Sequence, residues 1–118
     1  MKISAVADTL FTKIINGDIP ADIIYRDEYC ICIRDISPQA PTHVLIIPVK
    51  PIARLVDATL EDQLLLGHLM IKASEIASML GVDDAFRLIV NNGANAGQTV
   101  FHLHLHLLAG KAFSEAMV

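Results

Sequence analysis

The chain has 118 residues, which is enough for one compact domain with its own core and too few for two ordinary domains. A formal net charge of −4, with nine lysines and arginines spread along the chain, argues against a nucleic-acid-binding surface. Apolar residues make up 53% of the sequence and the mean hydropathy is +0.50, an excess that we expect an oligomer to bury.

The N-terminal part of the chain predicts a short helix and a β-hairpin. Asp8 is expected to cap the helix, which ends before Gly17. Two β-prone runs follow, residues 22–26 and 29–33, and a polar pair separates them. A hairpin is therefore expected directly after the first helix.

Both cysteines of the sequence, Cys30 and Cys32, lie in the second of these runs. We expect their side chains to face opposite sides of a strand and to remain unpaired. Free thiols are typical of a reducing compartment, and the apolar stretch after Met1 is too short for a secretion signal, so a cytoplasmic location is expected. The longest apolar-rich segment, residues 60–80, carries four charged side chains, so no membrane span is predicted.

The middle of the chain predicts a buried strand and the main helix. The run from residue 43 to 47 is apolar after its first residue and lies between prolines, which is typical of a central strand covered on both faces. Thr59, with Asp62 three residues later, is expected to begin a long helix that ends at Gly81.

Two further strands complete the predicted fold. They cover residues 86–90 and residues 99 to about 108, and a loop rich in glycine and asparagine joins them. The order of elements predicts an α+β fold, in which one long and one short helix pack on a five-stranded antiparallel sheet. We expect a single domain over residues 1–118.

The last predicted strand carries three histidines, His102, His104 and His106, in alternation with apolar residues. Because side chains along a strand alternate between faces, we expect the three imidazoles to line one side. Three interpretations remain open: satisfied or solvated histidines, a metal site, and catalysis on a phosphate, where imidazole can act as nucleophile and acid–base group. The preceding loop of residues 91–98 offers glycines and neutral donors, which suit an anion better than a metal.

The segment from His102 to Leu108 matches the signature His-φ-His-φ-His-φ-φ, in which φ is an apolar residue, and so resembles the histidine triad (HIT) family. Further matches lie between about Asp8 and Gly110 and resemble the Hint branch of that family, the purine nucleoside phosphoramidases. They comprise residues 10–15, 19–21, 35–43, 47–48, 66–70 and 90–98.

This resemblance implies a HIT-like fold, a homodimer with joined sheets, and hydrolysis of the P–N bond of purine nucleoside 5′-phosphoramidates such as AMP amides. Hydrolysis of dinucleoside polyphosphates, or purine-nucleotide binding by an interaction protein, are the alternatives.

The resemblance also implies individual roles for the matching residues. His104 would attack the α-phosphorus and form a nucleotidyl-histidine, and His106 would bind the phosphate and assist the leaving group. His43 and His102 would help to orient the nucleophile. The other implied contacts are Asp35 at the ribose hydroxyls, Asn91, Gly97, Gln98 and Thr99 near the phosphate, and Leu10, Phe11, Ile14, Ile33, Ile36 and Leu45 around the base. For Asp35, capping of the turn before Ser37 is the alternative.

No metal and no cofactor are expected. Some bacterial relatives bind zinc through a Cys-x-x-Cys pair, a further histidine and the first histidine of the triad. Here Thr9, Thr12 and Pro51 stand at the first three of these places, so a zinc site is not expected. His68, in the long helix, is expected to be structural.

Overall fold

The structure is a computed structural model that describes residues 8–116, in which a five-stranded antiparallel sheet carries one helix on each face. The strands are β1 (Ile23–Arg26), β2 (Cys30–Arg34), β3 (Thr42–Pro48), β4 (Phe86–Ile89) and β5 (Leu105–Ala109). The helices are α1 (Leu10–Ile15) and α2 (Gln63–Met79), and three short 3₁₀ turns are formed by Leu55–Asp57, Leu60–Asp62 and Ala94–Ala96. The strand order is β1-β2-β3-β5-β4, so the predicted α+β fold is confirmed.

Strand β3 lies in the middle of the sheet and is buried on both faces, as its apolar sequence predicts. Val44 and Ile46 belong to the core that the sheet forms with α2. Leu45 and Ile47 belong to a second core, which contains α1. Because successive residues of a strand alternate between faces, a continuous apolar run can supply both cores at once.

The two helices begin later in the chain than predicted, α1 by one residue and α2 by three. Thr9, rather than Asp8, caps α1: its side-chain oxygen accepts from the backbone N–H of Thr12 at 3.3 Å, and the Thr12 hydroxyl oxygen accepts from the backbone N–H of Thr9 at 2.7 Å. Thr59 caps a 3₁₀ turn, and α2 begins only after Asp62. Each reciprocal pair of side chains satisfies N–H groups that helix starts leave unpaired.

The expectation that Cys30 and Cys32 face opposite sides is wrong. Both thiols are free, fully buried and part of the core against α2. Residues two apart along a strand point to the same face, so these two side chains had to share one. Burial raises the pKa of each thiol to about 12, which keeps both protonated.

The last strand is shorter than predicted, because β5 starts at Leu105 and residues 99–104 are irregular. Its ladder with β3 ends where Ile46 pairs with Leu105, two residues before Pro48. Pro48 has no backbone N–H to continue the ladder. The chain instead turns to the segment after β3, where the N–H of Leu103 donates to the carbonyl oxygen of Ile52 at 2.6 Å.

Within residues 8–116, none of the helices combines the length and the apolar character that a membrane span would need.

Gly110 and Gly17 form a matched pair for a stability test, since both have positive φ, +93° and +83° respectively. A Cβ on Gly110 would lie 2.9 Å from Cβ of Pro41, whereas nothing lies within 4 Å of one on Gly17. We expect Gly17→Ala to lower the free energy of unfolding by about 1 kcal/mol. Gly110→Ala should lower it by at least about 1 kcal/mol more because of the clash. Urea unfolding followed by circular dichroism measures both, and equal losses would contradict the clash.

Candidate active site

A cleft of about 650 Å³ opens between α1, the ends of the central strands and the loop after β4. Most of the site residues expected from the sequence line it, namely Leu10, Phe11, Ile14, Ile33, Asp35, Ile36, Leu45, Asn91, Gly97, Thr99, His104 and His106. His43, Gln98 and His102 do not line it. Five lining residues carried no signal for a site in the sequence: Pro20, Ala21, Asp22, Arg34 and Val100.

His104 lies directly before β5 and is held in one orientation. Its ring packs edge-on against Phe11, with ring centroids 4.9 Å apart. Its Nδ1 lies 2.7 Å from the carbonyl oxygen of His102. Because a carbonyl oxygen only accepts hydrogen bonds, Nδ1 carries the proton, and Nε2 of the neutral ring keeps a free lone pair.

A chain of hydrogen bonds assigns the opposite tautomer to His106. The backbone N–H of Gln39 donates to Nδ1 of His43 at 3.0 Å, so Nδ1 accepts and the ring proton of His43 is on Nε2. That Nε2 lies 2.9 Å from Nδ1 of His106 and donates to it. The proton of His106 is therefore on its Nε2, the nitrogen that remains available to a ligand.

Two of the three histidines expected on one strand face reach the cleft together. The rings of His104 and His106 lie 5.0 Å apart between centroids, and His43 lies 5.2 Å from His106 on the other side. His102 differs from the expectation because it is fully buried: its Nε2 donates to the carbonyl oxygen of Pro48 at 2.7 Å, and its Nδ1 has no partner among residues 8–116. The irregular backbone before β5 takes its ring out of the cleft.

Asp35 divides its two carboxylate oxygens between two contacts. Oδ1 accepts from the backbone N–H of Ser37 at 2.7 Å, which is the turn-capping contact considered as an alternative. Oδ2 lies 3.5 Å from Nε2 of His43, and the residue also lines the cleft. Capping the turn and facing a ligand are therefore compatible for this side chain.

The loop of residues 91–98 forms one wall of the cleft, and buried Gln98 braces it from behind. The side-chain oxygen of Gln98 accepts from the N–H of Gly93 at 2.8 Å, and its nitrogen donates to the carbonyl oxygens of Ala53 and Val100. The amide of Gln98 is thus engaged with backbone groups. Gly97, at φ +95°, lets the loop turn beside Asn91.

Burial keeps the histidines of the site neutral. Loss of solvent lowers the pKa of His102 and of His104 below the ordinary 6.5. It lowers the pKa of His106 to about 4, and the nearby His104 and His43 rings act in the same direction. At neutral pH each of these imidazoles is therefore uncharged, so the Nε2 lone pair of His104 is not protonated.

Thr9, Thr12 and Pro51, the three residues behind the expectation of no zinc site, do not fit a metal. The hydroxyls of Thr9 and Thr12 are engaged in the cap of α1, and Pro51 offers no ligating side-chain atom. His68 lies outside the cleft, where its Nε2 is 2.8 Å from Oδ2 of Asp27 and its ring packs against Tyr29. Through these contacts His68 links α2 to the turn between β1 and β2, so its role is structural, as expected.

Comparisons with known proteins show which family and which solved structures this chain resembles. The HIT domain family matches residues 16–113. An uncharacterized HIT-like protein of Synechocystis sp. is 59% identical over 107 residues, covering 91% of this chain and 94% of that protein. The purine nucleoside phosphoramidase of Escherichia coli is 46% identical over 105 residues, covering 88% of each chain. A solved HIT family hydrolase from Clostridium thermocellum has a TM-score of 0.91 at 41% identity, covering 97% of this chain and 100% of that one.

The lowered pKa of His106 predicts a loss of stability in mild acid. Between pH 6.5 and about 4 the unfolded chain binds a proton at this residue that the folded chain does not, so stability falls as the pH falls through this window. From pH 7.5 to 5.0 the loss at His106 alone is about 2 kcal/mol. Urea unfolding at the two pH values should show a smaller loss for His106→Asn, whose side chain does not titrate. An unchanged loss in the variant would contradict the assignment.

Proposed function

This chain belongs to the HIT domain family, on its Hint-like branch, and from that premise we propose that it hydrolyses the P–N bond of purine nucleoside 5′-phosphoramidates. The reaction would pass through a covalent nucleotidyl-histidine at His104 and release a nucleoside monophosphate and an amine. The family match and the relatives directly support the more general description of a HIT family hydrolase.

One observation carries the proposal: two neutral imidazoles of opposite tautomer stand 5.0 Å apart beside the same cleft. His104 has the lone pair on Nε2, and His106 has the proton there. A nucleophile and a hydrogen-bond donor are the two groups that displacement of an amine from phosphorus requires. The hydrogen bonds to the His102 carbonyl and to His43 hold these tautomers before substrate arrives.

The displacement divides into two steps. Nε2 of His104 attacks the α-phosphorus, the P–Nε2 bond forms as the P–N bond breaks, and the proton on Nε2 of His106 passes to the departing nitrogen, which leaves as an amine. Water then attacks the same phosphorus and returns a proton to Nε2 of His106, while the P–Nε2 bond breaks, so that the monophosphate is released and the imidazole of His104 is restored. Splitting one difficult displacement into two easier ones is the benefit of the covalent route.

The residues that line the cleft suit the phosphate, the ribose and the base of a nucleotide. Asn91, Gly97 and Thr99 offer neutral donors beside the histidines, and a carboxylate oxygen of Asp35 can accept from ribose hydroxyls. The apolar wall supplies surfaces on which a purine can pack, and it comprises Leu10, Phe11, Ile14, Ile33, Ile36 and Leu45.

We also infer that two copies of the chain associate through the outer face of α2. Leu64 is 89% exposed, and Ile71, two turns further along the same face, is 61% exposed. Leu60, in the 3₁₀ turn directly before α2, is 88% exposed and extends this apolar surface. Gly67 lies between Leu64 and Ile71, where a small residue allows a second helix to approach. An exposed apolar stripe of this kind is typical of an interface.

The proposed chemistry is tested by His104→Ala with a fluorogenic adenosine phosphoramidate. Removing the nucleophile should lower kcat by at least about a thousandfold while AMP binding persists. His68→Gln, which alters a histidine outside the cleft, is the matched control and should retain turnover. Mass spectrometry of the quenched wild-type reaction should find a nucleotidyl adduct on the peptide that contains His104.

Three outcomes would contradict the proposal in distinguishable ways. Turnover of diadenosine polyphosphate alone would make the protein a dinucleoside polyphosphate hydrolase. Nucleotide binding without any turnover would make it a binding protein. Full activity of His104→Ala would remove the assigned nucleophile.

The association of two copies is tested by Ile71→Glu. This residue is exposed in the single chain, so the charge should leave the fold intact and oppose burial of the stripe. Light scattering should give twice 12.8 kDa for the wild type and 12.8 kDa for the variant. A wild-type protein that runs as a single copy at micromolar concentration would contradict the interface.

A further inference from the structure

The loop of residues 91–98, which forms one wall of the cleft, is held in place by polar contacts. Its own backbone closes it, because the N–H groups of Ala96 and Gln98 both donate to the carbonyl oxygen of Gly93 at 3.1 Å. Gln98, 3% exposed, is the single buried residue of this loop. Both alanines of the loop are exposed, so apolar packing does not fix its position against the cleft.

Two side-chain hydrogen bonds tie this loop to the segment that follows β3. The side-chain nitrogen of Gln98 donates to the carbonyl oxygen of Ala53 at 2.8 Å. The side-chain oxygen of Asn92 accepts from the backbone N–H of Val56 at 2.8 Å. Gln98 is buried and Asn92 is exposed, and groups that lose a buried hydrogen bond cannot turn to water instead. Gln98 is therefore the stronger of the two ties.

The neighbours of Gln98 in the chain are residues of the candidate site. Gly97 and Thr99 both line the cleft, as His104 does, whereas Gln98 does not. The amide of Gln98 is engaged with backbone groups on both of its polar atoms. Neighbouring Cα atoms lie only about 3.8 Å apart, so a displaced Gln98 would carry Gly97 and Thr99 with it.

We propose that Gln98 is a positioning residue, which ties the loop to the segment after β3 and so sets the affinity of the cleft for the phosphate of a nucleotide. This inference rests on the proposed nucleotide chemistry of the same cleft. Donors that are already in place bind an anion more tightly than donors that binding must first order, because the ordering costs conformational entropy.

The base should be insensitive to Gln98. The apolar wall expected at the base lies mainly on α1 and the central strands, and none of the side-chain hydrogen bonds of Gln98 reaches these elements. A change at Gln98 should therefore weaken a ligand that has a phosphate and spare one that lacks it.

The test is calorimetric titration of AMP and adenosine, which differ only in the phosphate, into the wild-type protein and Gln98→Met. Methionine has a similar length but leaves the carbonyl oxygen of Ala53 without its donor. The variant should bind AMP about tenfold more weakly and adenosine with unchanged affinity. A role in stability alone would leave the ratio of the two affinities as it is in the wild type.

Two further variants are controls. Gln63→Met makes the same chemical change at an exposed position at the start of α2, outside the cleft. Gly81→Ala strains a glycine at φ +74° directly after α2, where nothing lies within 4 Å of the added Cβ, so it destabilises the fold away from the cleft. Both should keep the wild-type ratio of AMP to adenosine affinity.

Asn92→Ala removes the weaker tie and decides the matter if Gln98→Met does not fold. It should weaken AMP about two- to threefold and leave adenosine unchanged.

The outcomes separate this inference from the function beneath it. A folded Gln98→Met that keeps the wild-type ratio, or that loses adenosine as much as AMP, would overturn the role of Gln98 and leave the hydrolase proposal standing. If that variant does not fold, an unchanged ratio in Asn92→Ala would do the same. Failure of the wild type to bind either ligand would overturn the proposed function as well.

Discussion

One hydrogen bond, from Nδ1 of His104 to the carbonyl oxygen of His102, sets the chemistry available in the cleft. It places the proton on the inner nitrogen and leaves the lone pair on Nε2. The ring of His102 is itself held, because its Nε2 donates a hydrogen bond to the carbonyl oxygen of Pro48 at the end of β3. Hydrophobic packing on both faces of that strand therefore helps to fix the orientation of the His104 imidazole.

Burial contributes to the site as much as the hydrogen bonds do. The same exclusion of water that assembles the core lowers the pKa of His104 and of His106, so neither ring is charged at neutral pH. Two neutral rings can hold opposite tautomers only if each has a fixed partner on its inner nitrogen. Here the carbonyl of His102, in the irregular segment before β5, and the ring of His43, on β3, are those partners.

The sequence predicts those parts of the molecule that depend on periodicity, and the apolar run of β3 is the clearest case. The start of β5 could not be predicted in this way, because it depends on Pro48, more than fifty residues earlier, which ends the ladder from the neighbouring strand. Arg34 and Asp22 likewise reach the cleft only through the pairing of β1 with β2. The wider resemblance to the HIT family predicts most of the residues that line the cleft, but the burial of His102 outside it depends on the three-dimensional path of the backbone.

The two contacts of the Asp35 carboxylate limit how this position can change during evolution. One oxygen shapes the turn and the other faces His43, so a single side chain serves both the backbone and the site. Replacing Asp35 would also release the turn that carries Ile36 and Gln39, and Gln39 orients His43. Adaptation to new substrates is therefore easier at the rim, where side chains can vary one at a time, than at this shared residue.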